Sequence, residues 1–164
     1  MLHVPISLGP PTANLAFYLP NPPTFPDNWH WHHPDSIKQL IELNGNHWRK
    51  ILTIMAKISS DNVDWRQYRT HQLLKANEQL HCNTKQLAPQ ATWHLVCGQQ
   101  AAEQLNINHN LATLLDGSNK VRRSIAPPYH QHLILLTPYL DYRQFPNRDI
   151  DTTHTYITET TLRN

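Results

Sequence analysis

Three short stretches of the chain are apolar at nearly every position and are bounded by residues that break regular structure. Leu15-Ala16-Phe17-Tyr18-Leu19 runs into Pro20-Asn21-Pro22-Pro23, Trp93-His94-Leu95-Val96-Cys97 ends at Gly98, and Leu133-Ile134-Leu135-Leu136 stops at Thr137-Pro138. Runs this short, without polar alternation, read as strands buried on both faces. Elsewhere the apolar period is that of a helix. Ile37, Leu40 and Ile41 make one face of a first helix, which opens at Asp35-Ser36 with Ser36 and Gln39 at capping-box spacing and ends at Gly45. Trp48, Ile51, Leu52, Met55 and Ile58 form the stripe of a second helix over 46–58. A third opens at Asp64, with Trp65, Tyr68, Leu73, Ala76 and Leu80 predicting a helix over 64–80. After Gly98, residues 99–105 are helix-forming, 111–115 are a short helical candidate, and Asp116-Gly117-Ser118-Asn119 is a turn.

Three buried strands separated by helices predict a three-layer α/β/α sandwich around a short, mainly parallel sheet. In such folds ligands sit outside the carboxyl ends of the strands. Residues 20–26, 98–100 and 137–145 should therefore converge. The expected organisation is a single α/β domain over 1–150, with a proline-rich segment over 1–34 and a threonine-rich tail over 151–164. Eight of the 13 prolines fall in 1–34, which excludes a long helix there, and six threonines lie between Thr152 and Thr161.

Composition narrows the class. At 164 residues the chain buries about 70% of its unfolded surface, enough for one core. With 39% hydrophobic and 16% charged residues it is no disordered chain, and its 4 glycines exclude a glycine-rich one. The apolar runs reach about five residues where a membrane helix needs roughly 20, and no secretory leader is apparent. Cys82 and Cys97 alone cannot build a disulfide framework or a four-thiolate zinc site. A cytoplasmic domain is expected. The formal charge of +2 is weak for a dedicated nucleic-acid binder, but 12 histidines would raise it as the pH falls toward 6.

The segments singled out by the fold resemble the mismatch-specific uracil/thymine-DNA glycosylases, a branch of the uracil-DNA glycosylase superfamily. Leu15-Ala16-Phe17-Tyr18-Leu19-Pro20-Asn21-Pro22 resembles the strand and Gly-Ile-Asn-Pro-Gly loop that open that family's pocket. Gly45-Asn46-His47-Trp48-Arg49-Lys50 resembles its Asn-aromatic-Trp-Lys helix start, one residue shorter. Val96-Cys97-Gly98-Gln99-Gln100-Ala101 resembles its strand–Gly-Lys-x-Ala–helix unit, and Thr137-Pro138-Tyr139-Leu140-Asp141-Tyr142-Arg143 falls where the family has Asn-Pro-Ser-Gly-Leu-Ser-Arg. Order and spacing agree over about residues 13–148. The chain departs from the family at the glycines beside the loop asparagine, replaced by Leu19-Pro20 and Pro23, and at the small residues of the last loop, replaced by Tyr139, Leu140 and Tyr142.

The resemblance implies a nucleic-acid-acting protein that takes a base into a pocket and, as an enzyme, hydrolyses its N-glycosidic bond without metal or cofactor. Asn21 would hold the attacking water, a contribution of positioning; read as a residue, Asn21 is equally a turn former. Tyr18 and Phe25 would stack on the base, and the alternative for such aromatics is core packing. Tyr139, Leu140 and Tyr142 would wedge between base steps while Arg143 pairs with phosphate, joined by Arg148, Lys120, Arg122 and Arg123. Asp141 at the loop tip opposes that role, and a plain surface loop is the alternative. The competing class is a non-catalytic member of the fold that binds nucleic acid, a nucleotide or a protein. His30-Trp31-His32-His33 matches no metal-ligand spacing, though His71, His81, His130 and His132 could fold near it. Cys97 and His94, three apart in a strand, point to opposite faces and form no nucleophile–base pair.

Overall fold

The computed structural model describes residues 4–60, 64–124 and 132–163. Among them the chain forms β1 (Ile6–Leu8), β2 (Leu15–Leu19), α1 (Ser36–Asn44), α2 (Asn46–Ser59), α3 (Trp65–His71), β3 (Glu78–Cys82), β4 (Trp93–Cys97), α4 (Gln99–Gln104), a 3-10 turn (His109–Leu111), β5 (Ala112–Leu114), β6 (Arg122–Ser124), β7 (Leu133–Thr137) and α5 (Asn147–Arg163). The seven strands make one mixed sheet in the order β1-β3-β2-β4-β7-β6-β5. The four central strands β3, β2, β4 and β7 run parallel, whereas β1, β6 and β5 add antiparallel at the edges. The expectation of a mainly parallel sheet is thus met at the centre and not at the edges. Short antiparallel edge strands need no crossover helix, only a turn.

Both faces of the sheet are covered, unequally. Phe17, Leu19, Leu80, Cys82, Leu95, Cys97 and Leu135 pack in one core with residues of α1, α2, α3 and α5. Ala16, Tyr18, Val96, Ile134 and Leu136 pack on the other face with Ala101, Ala102 and Leu105 of α4 and with Ala88 of the β3–β4 connection. The small alanines let α4 lie close to the strands.

Four expectations need correction. The helix predicted over 64–80 ends at His71: Leu74 adopts a left-handed φ of 63°, and the chain turns into β3. Leu73 and Leu80 are apolar because both enter the core, one from a turn and one from a strand, which mimics helical spacing. The candidate helix over 111–115 is the 3-10 turn followed by β5, whose strand pairing with β6 outweighs local propensity. The Ser36–Gln39 capping box is not made. Asp35 sits at the N-cap without a side-chain bond, and the Ser36 hydroxyl instead donates to the Trp31 carbonyl at 3.0 Å, which also accepts from Lys75 Nζ at 2.7 Å. Finally, the threonine-rich segment expected as a tail belongs to α5. Ile150 and Ile157 enter the core, and Thr153 is buried with its hydroxyl donating to the Asp149 carbonyl at 2.7 Å. No helix among the described residues is long and apolar enough to cross a membrane.

Candidate functional site

The connections leaving β2 and β4 diverge, because β2 crosses to β3 on one side while β4 and β7 lie on the other. A crevice must open where neighbouring strands send their chains apart. It is present as a cleft of about 300 Å³, lined by Pro20, Asn21, His47, Cys97, Gly98, Gln99, Gln100, Tyr139 and Gln144. All three segments expected to converge contribute to it, joined by the start of α2. A separate groove at the amino ends of β2 and β4, between Trp93, Ile157 and Leu162, lies at the other end of the sheet.

The lining is polar and, among the described residues, holds no Lys, Arg, Asp or Glu. Asn21, Gln99, Gln100 and Gln144 each offer an amide, a donor and an acceptor side by side. Tyr139 is half-buried; its ring stacks on His47 with centroids 5.8 Å apart, and its hydroxyl is 2.9 Å from His47 Nε2. Burial, then the nearby thiols of Cys82 and Cys97, push the Tyr139 hydroxyl up to about 12, so it stays protonated at neutral pH. Gly98 has a φ of +91°, and a Cβ there would lie 3.4 Å from Tyr139 Cβ. With a ψ of 161° the residue lies in a positive-φ region open essentially only to glycine, so Gly98→Ala is expected to lose about 1–3 kcal/mol to backbone strain. Urea unfolding measures this, and a loss under about 0.5 kcal/mol would mean the turn relaxes freely.

The structure places the sequence-predicted residues unequally. Asn21 is exposed at the cleft and Tyr139 lines it. Tyr18 does not reach it. Its side chain lies on the α4 face, fully buried, accepting the Ala88 backbone N–H at 2.8 Å and bonding His94 Nδ1 at 2.7 Å. Alternation along β2 puts Phe17 into the opposite core. Phe25 packs against Trp29 at 5.1 Å and lies outside the cleft lining. Leu140, expected at a wedge, is completely buried because the Tyr139–Asp141 turn points it into the main core. Tyr142 is half-buried beneath Lys57 Nζ, 4.9 Å from its ring centroid. Arg143 is exposed, and its backbone N–H donates to the Asp141 carboxylate at 2.9 Å, which turns that acidic group into the loop's own backbone. Four polar lining residues had no role assigned from sequence, His47, Gln99, Gln100 and Gln144. The only signal for His47 was its place at the aromatic position before Trp48.

The histidine-rich segment is a docked loop. Trp29 Nε1 donates to the Ser36 carbonyl at 2.8 Å, and His30 stacks on Trp31. No three His, Cys, Asp or Glu among the described residues are placed to hold a metal ion. His130 lies outside the described residues. Cys97 and His94 do face opposite sides of the sheet, and burial pushes the Cys97 thiol up to about 12.

Among known proteins, the model of a family of unknown function, DUF6942, matches residues 6–158. No curated protein and no solved structure matches the chain.

Proposed function

The chain belongs to the DUF6942 family, and we propose that it captures a nucleobase of a nucleic acid in the cleft between Asn21 and Tyr139 and hydrolyses the N-glycosidic bond behind it. The observation that carries this reading is the meeting of Asn21 and Tyr139, from opposite ends of the chain, in one amide-lined cleft at the strands' carboxyl ends. The piecewise likeness of its segments to the uracil-DNA glycosylase superfamily adds to it. Base edges carry donor–acceptor pairs that Asn and Gln side chains match two bonds at a time. Gln99, Gln100 and Gln144 supply such groups, and the Tyr139–His47 stack supplies an aromatic platform worth about 1–3 kcal/mol per base. Asn21 holds the water. The water oxygen bonds to the sugar carbon as the carbon–nitrogen bond breaks, and the base leaves with the electron pair and takes up a proton. Among the residues expected at a wedge, Tyr139 alone keeps a role at the cleft, and Arg143 on the adjoining loop pairs with phosphate.

A second reading stops at base capture. It is favoured by the absence of a carboxylate from the lining among the described residues, which leaves positioning as the help the water receives. One experiment separates the two. Oligonucleotides carrying uracil, a G·U or G·T mismatch, hypoxanthine or an alkylated base are incubated at low salt with the wild type and with Asn21→Ala. The expected result is base release by the wild type, reduced about 100-fold or more in Asn21→Ala, the scale on which lost positioning acts. Release that survives Asn21→Ala removes the water-holding role. Binding without release at enzyme excess selects the second reading, and neither binding nor release ends both.

A further inference from the structure

A second chemical feature lies on the helical side of the molecule. Arg49, Thr53 and Lys57 recur every four residues of α2 and so share one face. Against that face, α3 brings Trp65, Arg66 and Arg69. Three cations gather on the Trp65 ring: Arg66 at 4.4 Å from its centroid, Lys57 at 5.0 Å and Arg69 at 5.5 Å. Lys57 also lies over Tyr142. The polar contacts of this group among the described residues are neutral: Arg69 donates to the Thr53 hydroxyl at 2.8 Å and Lys57 to the Asn147 side chain at 3.0 Å. The Arg69 Nε is buried with no hydrogen-bond partner among the described residues. Burial, followed by the charges of Arg49 and Arg66, pushes the Arg69 guanidinium down. The nearby Asp64 is turned to the helix end, accepting the Gln67 N–H.

Like charges repel, so three cations held on two aromatic rings, with Arg49 beside them on the same face of α2, cost stability unless an anion offsets them. We infer that the α2–α3 face, with Tyr142 at its margin, is the docking surface for the phosphodiester backbone of a nucleic-acid strand. The length of the cluster argues for an extended anion. Arg49 and Lys57 are eight residues apart on a helix, about 12 Å along its axis, which is too long for one phosphate group and suited to successive ones. Position argues for a nucleic acid. Tyr142 sits three residues from Tyr139, so the loop that lines the cleft at one end touches the basic face at the other. A strand with a base in the cleft would carry its backbone past Arg143 onto Lys57 and Arg49. The inference extends the proposed function by naming the phosphate-binding surface, yet docking requires no hydrolysis.

The test is anisotropy of a short fluorescein-labelled single strand and of its duplex, titrated with full-length protein across a salt series. Arg49 and Arg66 are exposed, so Arg49→Gln/Arg66→Gln removes two charges without opening the core. Expected are at least a tenfold weaker affinity at low salt and a slope of log affinity against log salt shallower by about 1.4–1.8, the value for two lost phosphate contacts. Lys57→Gln should weaken binding independently. Lys38→Gln/Lys85→Gln removes the same charge from exposed sites on α1 and on the β3–β4 connection, and should leave binding unchanged. An equal loss in that control, or no loss in the patch variants, overturns the inference. So does binding to poly-glutamate or to anionic phospholipid vesicles in preference to the oligonucleotides. Wild-type binding that the patch variants weaken, without base release from the same oligonucleotides, leaves docking standing and ends hydrolysis, so the two failures are read separately.

Discussion

Glu78→Ala is expected to destabilise the domain by about 3–5 kcal/mol, and unfolding in urea is the measurement. Glu78 opens β3 and is completely buried. One carboxylate oxygen accepts the Leu74 backbone N–H at 2.9 Å, the other the Tyr68 hydroxyl in a short bond. Truncation strands both donors in the buried interior, at about 1–3 kcal/mol each, and leaves a small cavity besides. Burial pushes the Glu78 carboxyl above its ordinary value, and the bonds from Tyr68 and Leu74 pull it back. Glu78→Gln keeps an acceptor for Leu74 and should lose less than half as much. A loss below about 1 kcal/mol in Glu78→Ala would mean that water reaches both donors. The consequence extends to the cleft. β3 pairs with β2 along its whole length, and β2 delivers Asn21.

That same strand marks the limit of what the chain discloses as a sequence. β2, β4 and β7 were legible because both of their faces are covered and their residues are apolar throughout. In β3, by contrast, Glu78, Gln79 and His81 are polar, and what makes Gln79 and His81 acceptable there lies far away along the chain. Gln79 Nε2 donates to the Ala13 carbonyl at 2.9 Å, and His81 Nδ1 meets the Ser7 hydroxyl at 2.9 Å. A buried polar residue declares itself only through its partner. The Arg122–Ser124 strand was hidden for a different reason: three polar residues carry no apolar pattern to detect.

The cleft follows the same division. The strand ends fixed where the three segments meet, and Asn21 and Tyr139 are found there. Within the Tyr139–Arg143 loop no periodicity says which side chain turns inward, and Leu140 does so because the Asp141 N–H closes a tight turn on the Tyr139 carbonyl at 2.7 Å. His47 reaches the cleft only through its contact with Tyr139, 92 positions away. The basic face is partly local and partly not. Arg49 and Lys57 share a helix face by spacing alone, but nothing in the chain announces that Tyr142 closes over Lys57.

Acid should weaken the fold through His94, by roughly 3 kcal/mol between neutral pH and pH 4. The Ala88 N–H donates to the Tyr18 hydroxyl, so the hydroxyl's own proton goes to His94 Nδ1. His94 is then the neutral tautomer carrying its proton on Nε2. Burial, followed by the nearby His132 and His81, holds its value down at about 4 against an ordinary 6.5. A histidine depressed in the folded state binds fewer protons folded than unfolded across that interval. Stability is therefore full above about 6.5 and is lost as the pH falls toward 4. Burial holds His81 down as well, with the same sign. Glu78, raised in the folded state, acts with the opposite sign above its ordinary value, so the wild-type profile alone would understate His94. Comparison with His94→Gln isolates it, because glutamine offers Tyr18 an acceptor and does not titrate. The difference in unfolding free energy between the two proteins should shift by about 3 kcal/mol from pH 7 to pH 4, against the wild type. Parallel profiles, or an imidazole that titrates near 6.5 by NMR, would show that water or movement of the β3–β4 connection solvates His94. That connection is bolted to the sheet by Tyr18 and Ala88, so acid should first loosen the α4 face and leave the four-helix side packed.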